Sequence, residues 1–186
     1  MRNIFCLYLV VAISQILFAM PVCAETIAEG TTVAEWLENN QYAPKFKNYP
    51  AEMRKFTAAK NVDFNSYKGS YNYRTTLRNA FKEEPNFAGK YVVAHAGCGT
   101  QCSIYWIINK ETGKIIFSEA SQLGASYLRA SNLFVMNGDT YGIDQHPDDT
   151  EVKYVSPAIT VKFYKVENDK IKLIKSLPLP QEEIEN

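Results

Sequence analysis

Tyr91-Val92-Val93-Ala94-His95-Ala96-Gly97-Cys98-Gly99-Thr100-Gln101-Cys102-Ser103-Ile104-Tyr105-Trp106-Ile107-Ile108 reads as two strands joined by a cysteine turn. In its first half Tyr91, Val93 and His95 alternate with Val92 and Ala94, the period-2 pattern of a strand, expected over 89–95. In its second half Ile104 to Ile108 are apolar at every position, which predicts a central strand over 102–108 buried on both faces. Between them, Gly97 and Gly99 permit the positive φ values that a tight ring closed by Cys98 and Cys102 would call for.

Downstream the same period continues. Asn109-Lys110-Glu111-Thr112-Gly113 is a turn with glycine where positive φ is expected, and 114–118 pairs back. Residues 119–130 read as a loop, Leu133-Phe134-Val135-Met136 as a strand, and Asn137-Gly138-Asp139 as its end. Ile159, Val161 and Phe163 alternate with Thr160, Lys162 and Tyr164; Glu167-Asn168-Asp169 turns the chain into a last strand, 170–177. Residues 178–186 are expected to be a flexible acidic tail.

Upstream the period is helical. Thr32 and Glu35 have capping-box spacing ahead of Val33, Trp36 and Leu37, predicting a helix over 33–40. Pro50 is placed to open a second helix, 51–59, burying Met53 and Phe56. Residues 61–72 read as irregular. Tyr73, Leu77 and Phe81 then mark a helix that Pro85 stops. The expected fold is α+β, with N-terminal short helices packed on one antiparallel meander of five or six strands, a single domain over 25–177.

The first 24 residues set the cysteine chemistry. Arg2 is the only charge before Glu25, an apolar run fills 4–22, and Val22-Cys23-Ala24 has the small-residue ending of a signal peptide cleaved after Ala24. A transmembrane anchor is the competing reading; Ser14, Gln15 and Pro21 interrupt the run, and no basic stop-transfer cluster follows. Lipidation at Cys23 fits less well, because Val22 precedes it. Cleavage removes Cys6 and Cys23, leaving only Cys98 and Cys102 in a periplasmic or secreted protein, where one disulfide between them is the simplest outcome. It also leaves 19 basic against 20 acidic residues, a formal charge of −1, so there is no global basic field to recruit nucleic acid. No stable membrane insertion is expected after cleavage.

The segments Tyr73-Arg74-Thr75 with Leu77-Arg78, Asn86-Phe87-Ala88-Gly89-Lys90-Tyr91, Gly97-Cys98-Gly99-Thr100-Gln101-Cys102 and Thr112-Gly113-Lys114 together have a familiar look. Over 73–118 the chain resembles a group of small exported bacterial proteins of unknown function, which share an Asn-Phe-Ala-Gly-x-Tyr segment, a Gly-Cys-Gly-(Ser/Thr)-x-Cys turn and a Thr-Gly-Lys hairpin. The resemblance implies an exported location and the fold type. It implies no catalytic residues.

Several chemistries remain open at the turn. A C-x3-C spacing departs from the C-x-x-C of thioredoxin-like redox sites. Zinc would need His95 and the only other histidine, His146, to join both cysteines; a cysteine nucleophile would need a free thiol beside a base. The acidic loop with Asp139, Asp144, His146, Asp148, Asp149 and Glu151 is rich in calcium-type ligands, yet its spacing is not that of an EF-hand, and such loops are commonly just solvated. Arg74 and Arg78, one turn apart, form either a solvated face or an anion-binding pair. Tyr71, Tyr73, Tyr91, Tyr105, Trp106 and Tyr127 suit either sheet packing or a recognition surface.

No Gly-x-Ser-x-Gly elbow, His-Glu-x-x-His helix or glycine-rich phosphate loop is present, which counts against an enzyme. The expected function is therefore that of a non-enzymatic binding module with no cofactor, one version being an inhibitor of an enzyme such as a lysozyme. Its recognition residues would be His95, Gly97, Gly99, Thr100 and Gln101, with Arg74 and Arg78 as a second candidate pair, and its partner a protein or small molecule. The alternative is a metal-dependent or thiol hydrolase using His95, Cys98, Cys102 and His146.

Overall fold

The computed structural model describes residues 5–9, 20–24, 31–100, 102–138, 141 and 159–180. The first two segments pair as a two-stranded antiparallel ribbon, β1 (Phe5–Leu9) with β2 (Met20–Ala24), and Cys6 stands opposite Cys23. Among the described residues seven further strands form two antiparallel sheets, not one meander. The first sheet holds β3 (Tyr91–Gly99), β4 (Cys102–Asn109) and β5 (Ile115–Ser121) in that order. The second holds β6 (Ala125–Tyr127), β7 (Leu133–Met136), β8 (Thr160–Glu167) and β9 (Lys170–Pro178).

A physical reason for two sheets lies in β4 and β7, whose residues are apolar on both faces. Two short helices cannot cover both sides of one seven-stranded sheet, whereas two stacked sheets each cover one face of the other. Tyr91, Val93, Tyr105, Ile107 and Phe117 meet Phe134, Met136, Tyr164 and Val166 in the layer between the sheets. The outer face of the second sheet, Leu133, Val135, Val161 and Phe163, packs with Val33 and Leu37 of α1 (Val33–Asn39). The outer face of the first, Ala94, Trp106, Ile108 and Ile115, packs with Leu77 and Phe81 of α2 (Arg74–Lys82). The order of layers is α1, second sheet, first sheet, α2.

The chain changes sheet at residues 122–124, inside the segment expected to be one loop. Asn137, in the left-handed region at φ 57, fastens this crossing. Its Oδ1 accepts from Ser121 Oγ at 2.7 Å and from the Gln122 N–H at 2.9 Å, while its Nδ2 donates to the Thr160 carbonyl at 3.0 Å. β5 thus runs to Ser121, beyond the expected 118, and three loop residues become β6.

The start of α1 is local, whereas both helices end on groups supplied from elsewhere. In α1, Thr32 Oγ1 accepts from the Glu35 N–H at 3.2 Å and Glu35 Oε2 accepts from the Thr32 N–H at 3.0 Å, the reciprocal box that the spacing predicts. Their C-terminal carbonyls are capped by lysines from elsewhere in the chain. Lys45 Nζ donates to the Leu37 and Glu38 carbonyls, each at 2.7 Å, and Lys110 Nζ donates to the Phe81 carbonyl and, at 2.9 Å, to that of Glu83. Lys110 is 8% exposed, its stem buried and its ammonium over the Phe81 ring.

The helix expected over 51–59 does not form. Pro50 makes an isolated bridge with Ser131, and the Ala51 and Ala59 N–H groups donate to the Ala130 and Lys110 carbonyls at 2.9 and 2.8 Å. These outward bonds recruit the backbone that a helix would bond internally, and Met53 is 53% exposed rather than buried. Residues 61–72, expected to be irregular, contain short 3-10 turns at Phe64–Ser66 and Ser70–Tyr73. Of the expected tail, Pro178 closes β9 and Leu179 is buried beside Ile159; residues 181–186 lie outside the described residues. Among the described residues no helix is long and apolar enough to cross a membrane.

Candidate functional site

The cysteine turn is the tip of the β3–β4 hairpin. Its root is held in the core by Tyr91, Val93, Tyr105 and Ile107, and the register runs from Tyr91 opposite Asn109 to Gly99 opposite Cys102. Cys98 is the extra residue of a bulge between Gly97 and Gly99, and it is disulfide-bonded to Cys102 with the two Cα atoms 5.1 Å apart. Gly99 has φ 139, a conformation that side chains rarely adopt. Among the described residues nothing lies within 4 Å of a Cβ added at Gly97 or at Gly99. Gly97, Cys98, Gly99 and Thr100 are all exposed.

His95 is exposed and directly opposite Tyr105, the two rings 5.5 Å apart, on the face that carries Tyr91 and Val93. It is thus a cross-strand partner of Tyr105. Gln101, Asp139, Asp144, His146, Asp148, Asp149 and Glu151 lie outside the described residues, and with them the acidic-loop and His146 readings. Among the described residues no three His, Cys, Asp or Glu side chains come together in a metal-binding group. Both tip sulfurs are in the bond, so neither is a thiolate available to a metal or a substrate.

Arg74 and Arg78 are exposed on α2 but do different things. The Arg74 guanidinium lies 5.1 Å from the centroid of the Tyr71 ring, and that of Arg78 lies 5.4 Å from the centroid of Phe64. Arg78 also lines a cleft of about 280 Å³ between α2 and residues 60–62, where it is joined by Lys60 and Lys82 and not by Arg74. Of the six aromatics considered for recognition, Tyr91, Tyr105 and Trp106 are buried, Tyr127 stacks on Phe134 and Tyr73 packs on Trp106. Tyr71 alone is mostly exposed, at 59%.

No protein-family model, curated protein or solved structure matches this chain.

Two polar networks that the sequence did not reveal join the sheets. At the hairpin root, Asp169 Oδ1 accepts from Tyr91 OH at 2.6 Å, Asn109 Nδ2 at 2.8 Å and Lys90 Nζ at 2.8 Å. Lys90 also faces Glu111, which grips Arg54 through two bonds of 2.8 and 2.7 Å. Burial alone would raise the Asp169 pKa; the bonds from Lys90, Tyr91 and Asn109 outweigh it and hold the carboxyl below its ordinary range. The Arg54 bond similarly lowers Glu111. At the other network, Glu119 of β5 accepts from Lys162 and Tyr164 of β8. In both networks each carboxylate is paired with a cation and with other donors, which makes them fasteners between layers rather than groups free to react. The only sequence signal for the first is the turn at 167–169; its meeting with residues 54, 90 and 111 comes from the stacking of the sheets.

Proposed function

We propose that this protein is an exported, non-enzymatic binding module that presents the disulfide-closed β3–β4 tip to a partner surface. The observation that carries the reading is the contrast along one hairpin: a root locked among Tyr91, Val93, Tyr105 and Ile107, and an exposed tip where, among the described residues, nothing lies within 4 Å of a Cβ added at Gly97 or Gly99. A disulfide between Cys98 and Cys102 on a strand pair rooted in the core limits the freedom the turn has to lose, so association costs less entropy than for an open loop. Export follows from the N-terminal reading, cleavage after Ala24, and is supported by the disulfide itself. The resemblance of residues 73–118 to exported bacterial proteins belongs to the same proposal. A finer version makes the partner the cleft of a secreted hydrolase such as a lysozyme, blocked by His95, Gly97, Gly99, Thr100 and Gln101.

The competing reading, a hydrolase working through Cys98 or Cys102, requires the tip disulfide to be open. Thiol titration of the unreduced purified protein and metal analysis separate the two. No free thiol and no bound zinc supports the binding module; two titratable thiols at Cys98 and Cys102 or one equivalent of zinc overturns it. The inhibitor version is tested by assaying lysozymes with stoichiometric protein. It predicts loss of lysozyme activity that is restored when the tip carries Thr100→Arg, and unchanged activity sinks it.

A further inference from the structure

The cleft beside α2 lies at the opposite end of the β3–β4 hairpin from the disulfide tip. Its wall on α2 is one stripe: Thr75, Arg78, Asn79 and Lys82 follow at i, i+3, i+4 and i+7 and so share a face. The opposing rim carries Lys60 and Asn61, and the floor is apolar, made by Val62 and Phe81, each 7% exposed. Three cations therefore converge on a space of about 280 Å³. Among the described residues none of the three forms an ion pair.

Both walls are fixed. The Ala59 N–H donates to the Lys110 carbonyl at 2.8 Å and the Asp63 N–H donates to the Gly113 carbonyl at 2.8 Å, so the segment carrying Lys60 and Asn61 is tied at each end. α2 is locked against Trp106 and Ile108 through Leu77 and Phe81. Holding like charges together on rigid walls is unfavourable unless an anion neutralises them. The Arg78 guanidinium lies 5.4 Å from the Phe64 ring centroid, a contact that leaves its N–H donors unused.

We propose that this cleft binds a phosphate monoester, its dianionic head among Lys60, Arg78 and Lys82 and its organic group on Val62 and Phe81. Thr75 and Asn79 add hydroxyl and amide donors on the same stripe. The volume is at the low end for ligand sites, which suits a small head group rather than a large cofactor. The site is separate from the disulfide tip and stands or falls without it.

The test is a titration of the purified, isotope-labelled protein followed by amide NMR at constant ionic strength, first with inorganic phosphate and then with phenyl phosphate. Saturable shifts confined to residues 60–62 and 75–82 are expected. Phenyl phosphate should bind about tenfold more tightly, equivalent to removing roughly 55 Å² of apolar surface from water, counting the phenyl ring and the floor together. The double variant R78Q/K82Q, altered only at exposed positions, should bind at least about tenfold more weakly, whereas K170Q/K172Q on the exposed strand β9 should bind as the parent does. Vesicles of phosphatidylcholine with and without phosphatidic acid distinguish the sources. Sedimentation that needs phosphatidic acid and is lost in R78Q/K82Q makes the monoester a lipid headgroup, and phenyl phosphate binding without sedimentation makes it a soluble compound. Non-saturating shifts spread over the surface lysines, binding unaffected by R78Q/K82Q, or no binding to any probe would overturn the proposal.

Discussion

The phenol of Tyr91 donates to Asp169 at 2.6 Å, joining the first residue of β3 to the turn between β8 and β9. This bond spans the two sheets at the root of the hairpin whose other end carries the disulfide. Asn168 and Asp169 both adopt positive φ, at 51° and 58°, so the tight turn itself aims the carboxylate at the first sheet. The position of the tip is thereby set from the core outward.

The Asp169 carboxyl is held below its ordinary pKa of 3.8, so its stabilising contribution is present above that value and is lost as pH falls through the lowered one. Glu111 acts in the same sense. Thermal denaturation should show Tm falling below about pH 4, and Asp169→Asn should lower the neutral-pH Tm while flattening that acid limb. An acid limb as steep in Asp169→Asn as in the parent would refute the assignment.

At high pH the tyrosines dominate. Tyr91, Tyr141 and Tyr164 are raised well above the usual phenol value of 10 by burial, with Asp169 and Glu119 adding to the effect at Tyr91 and Tyr164. A raised folded pKa means stability that is intact below pH 10 and is lost as pH climbs beyond it. Part of the phenolate absorbance, that of these three rings and of Tyr127, which burial also raises, should therefore appear only together with loss of the far-UV signal.

The glycines divide into those the packing needs and those it does not. A Cβ on Gly89 would sit 2.3 Å from the Glu52 carbonyl oxygen and one on Gly113 2.2 Å from that of Asn61, and both have positive φ. Gly89→Ala and Gly113→Ala should each cost about 2–4 kcal/mol by urea denaturation. Gly97→Ala, with nothing within 4 Å, should stay within about 0.5 kcal/mol of the parent.

The tip disulfide closes a short ring at the far end of the hairpin from its root in the core. Cys98→Ser/Cys102→Ser should destabilise by about 1–3 kcal/mol and leave the far-UV spectrum unchanged. Failure to fold would mean that the ring positions the hairpin rather than decorating it.

Lys110→Met keeps an apolar stem in place but removes the donors of the Phe81 and Glu83 carbonyls. A loss of about 1–3 kcal/mol is expected, with amide exchange accelerated first in the last turn of α2.

Local chemistry explains what could be read without coordinates. The Thr32–Glu35 box, the Tyr73, Leu77, Phe81 spacing ended by Pro85, the alternation in 91–95, the apolar run in 104–108 and the glycine turn at 113 each depend on neighbours within a few residues, and each is observed. The segment Asn86-Phe87-Ala88-Gly89-Lys90-Tyr91 was visible as a motif, but its purpose was not. Asn86 stands in for a missing strand neighbour, its Oδ1 accepting from the Val93 N–H at 2.8 Å, and Gly89 fits beneath Glu52. Met53 was misplaced into a helix because Pro50 is a good helix opener in isolation, whereas bonds to Ala130 and Lys110 are invisible locally.

By itself the sequence determined most of the strands of the two sheets, the helices at 33–39 and 74–82 and the pairing of the only cysteines downstream of Ala24, since periodicity and four-residue separation are properties of the chain alone; it missed β6 and added a helix over 51–59. The tertiary structure alone decided that the strands divide into two stacked sheets, that Asp169 meets Tyr91, and that Lys60 joins Arg78 and Lys82. The reason is range. Apolar faces must find cover wherever the chain can supply it, and the cover for the inner face of β3 and β4 comes from Phe134, Met136, Tyr164 and Val166, far along the chain.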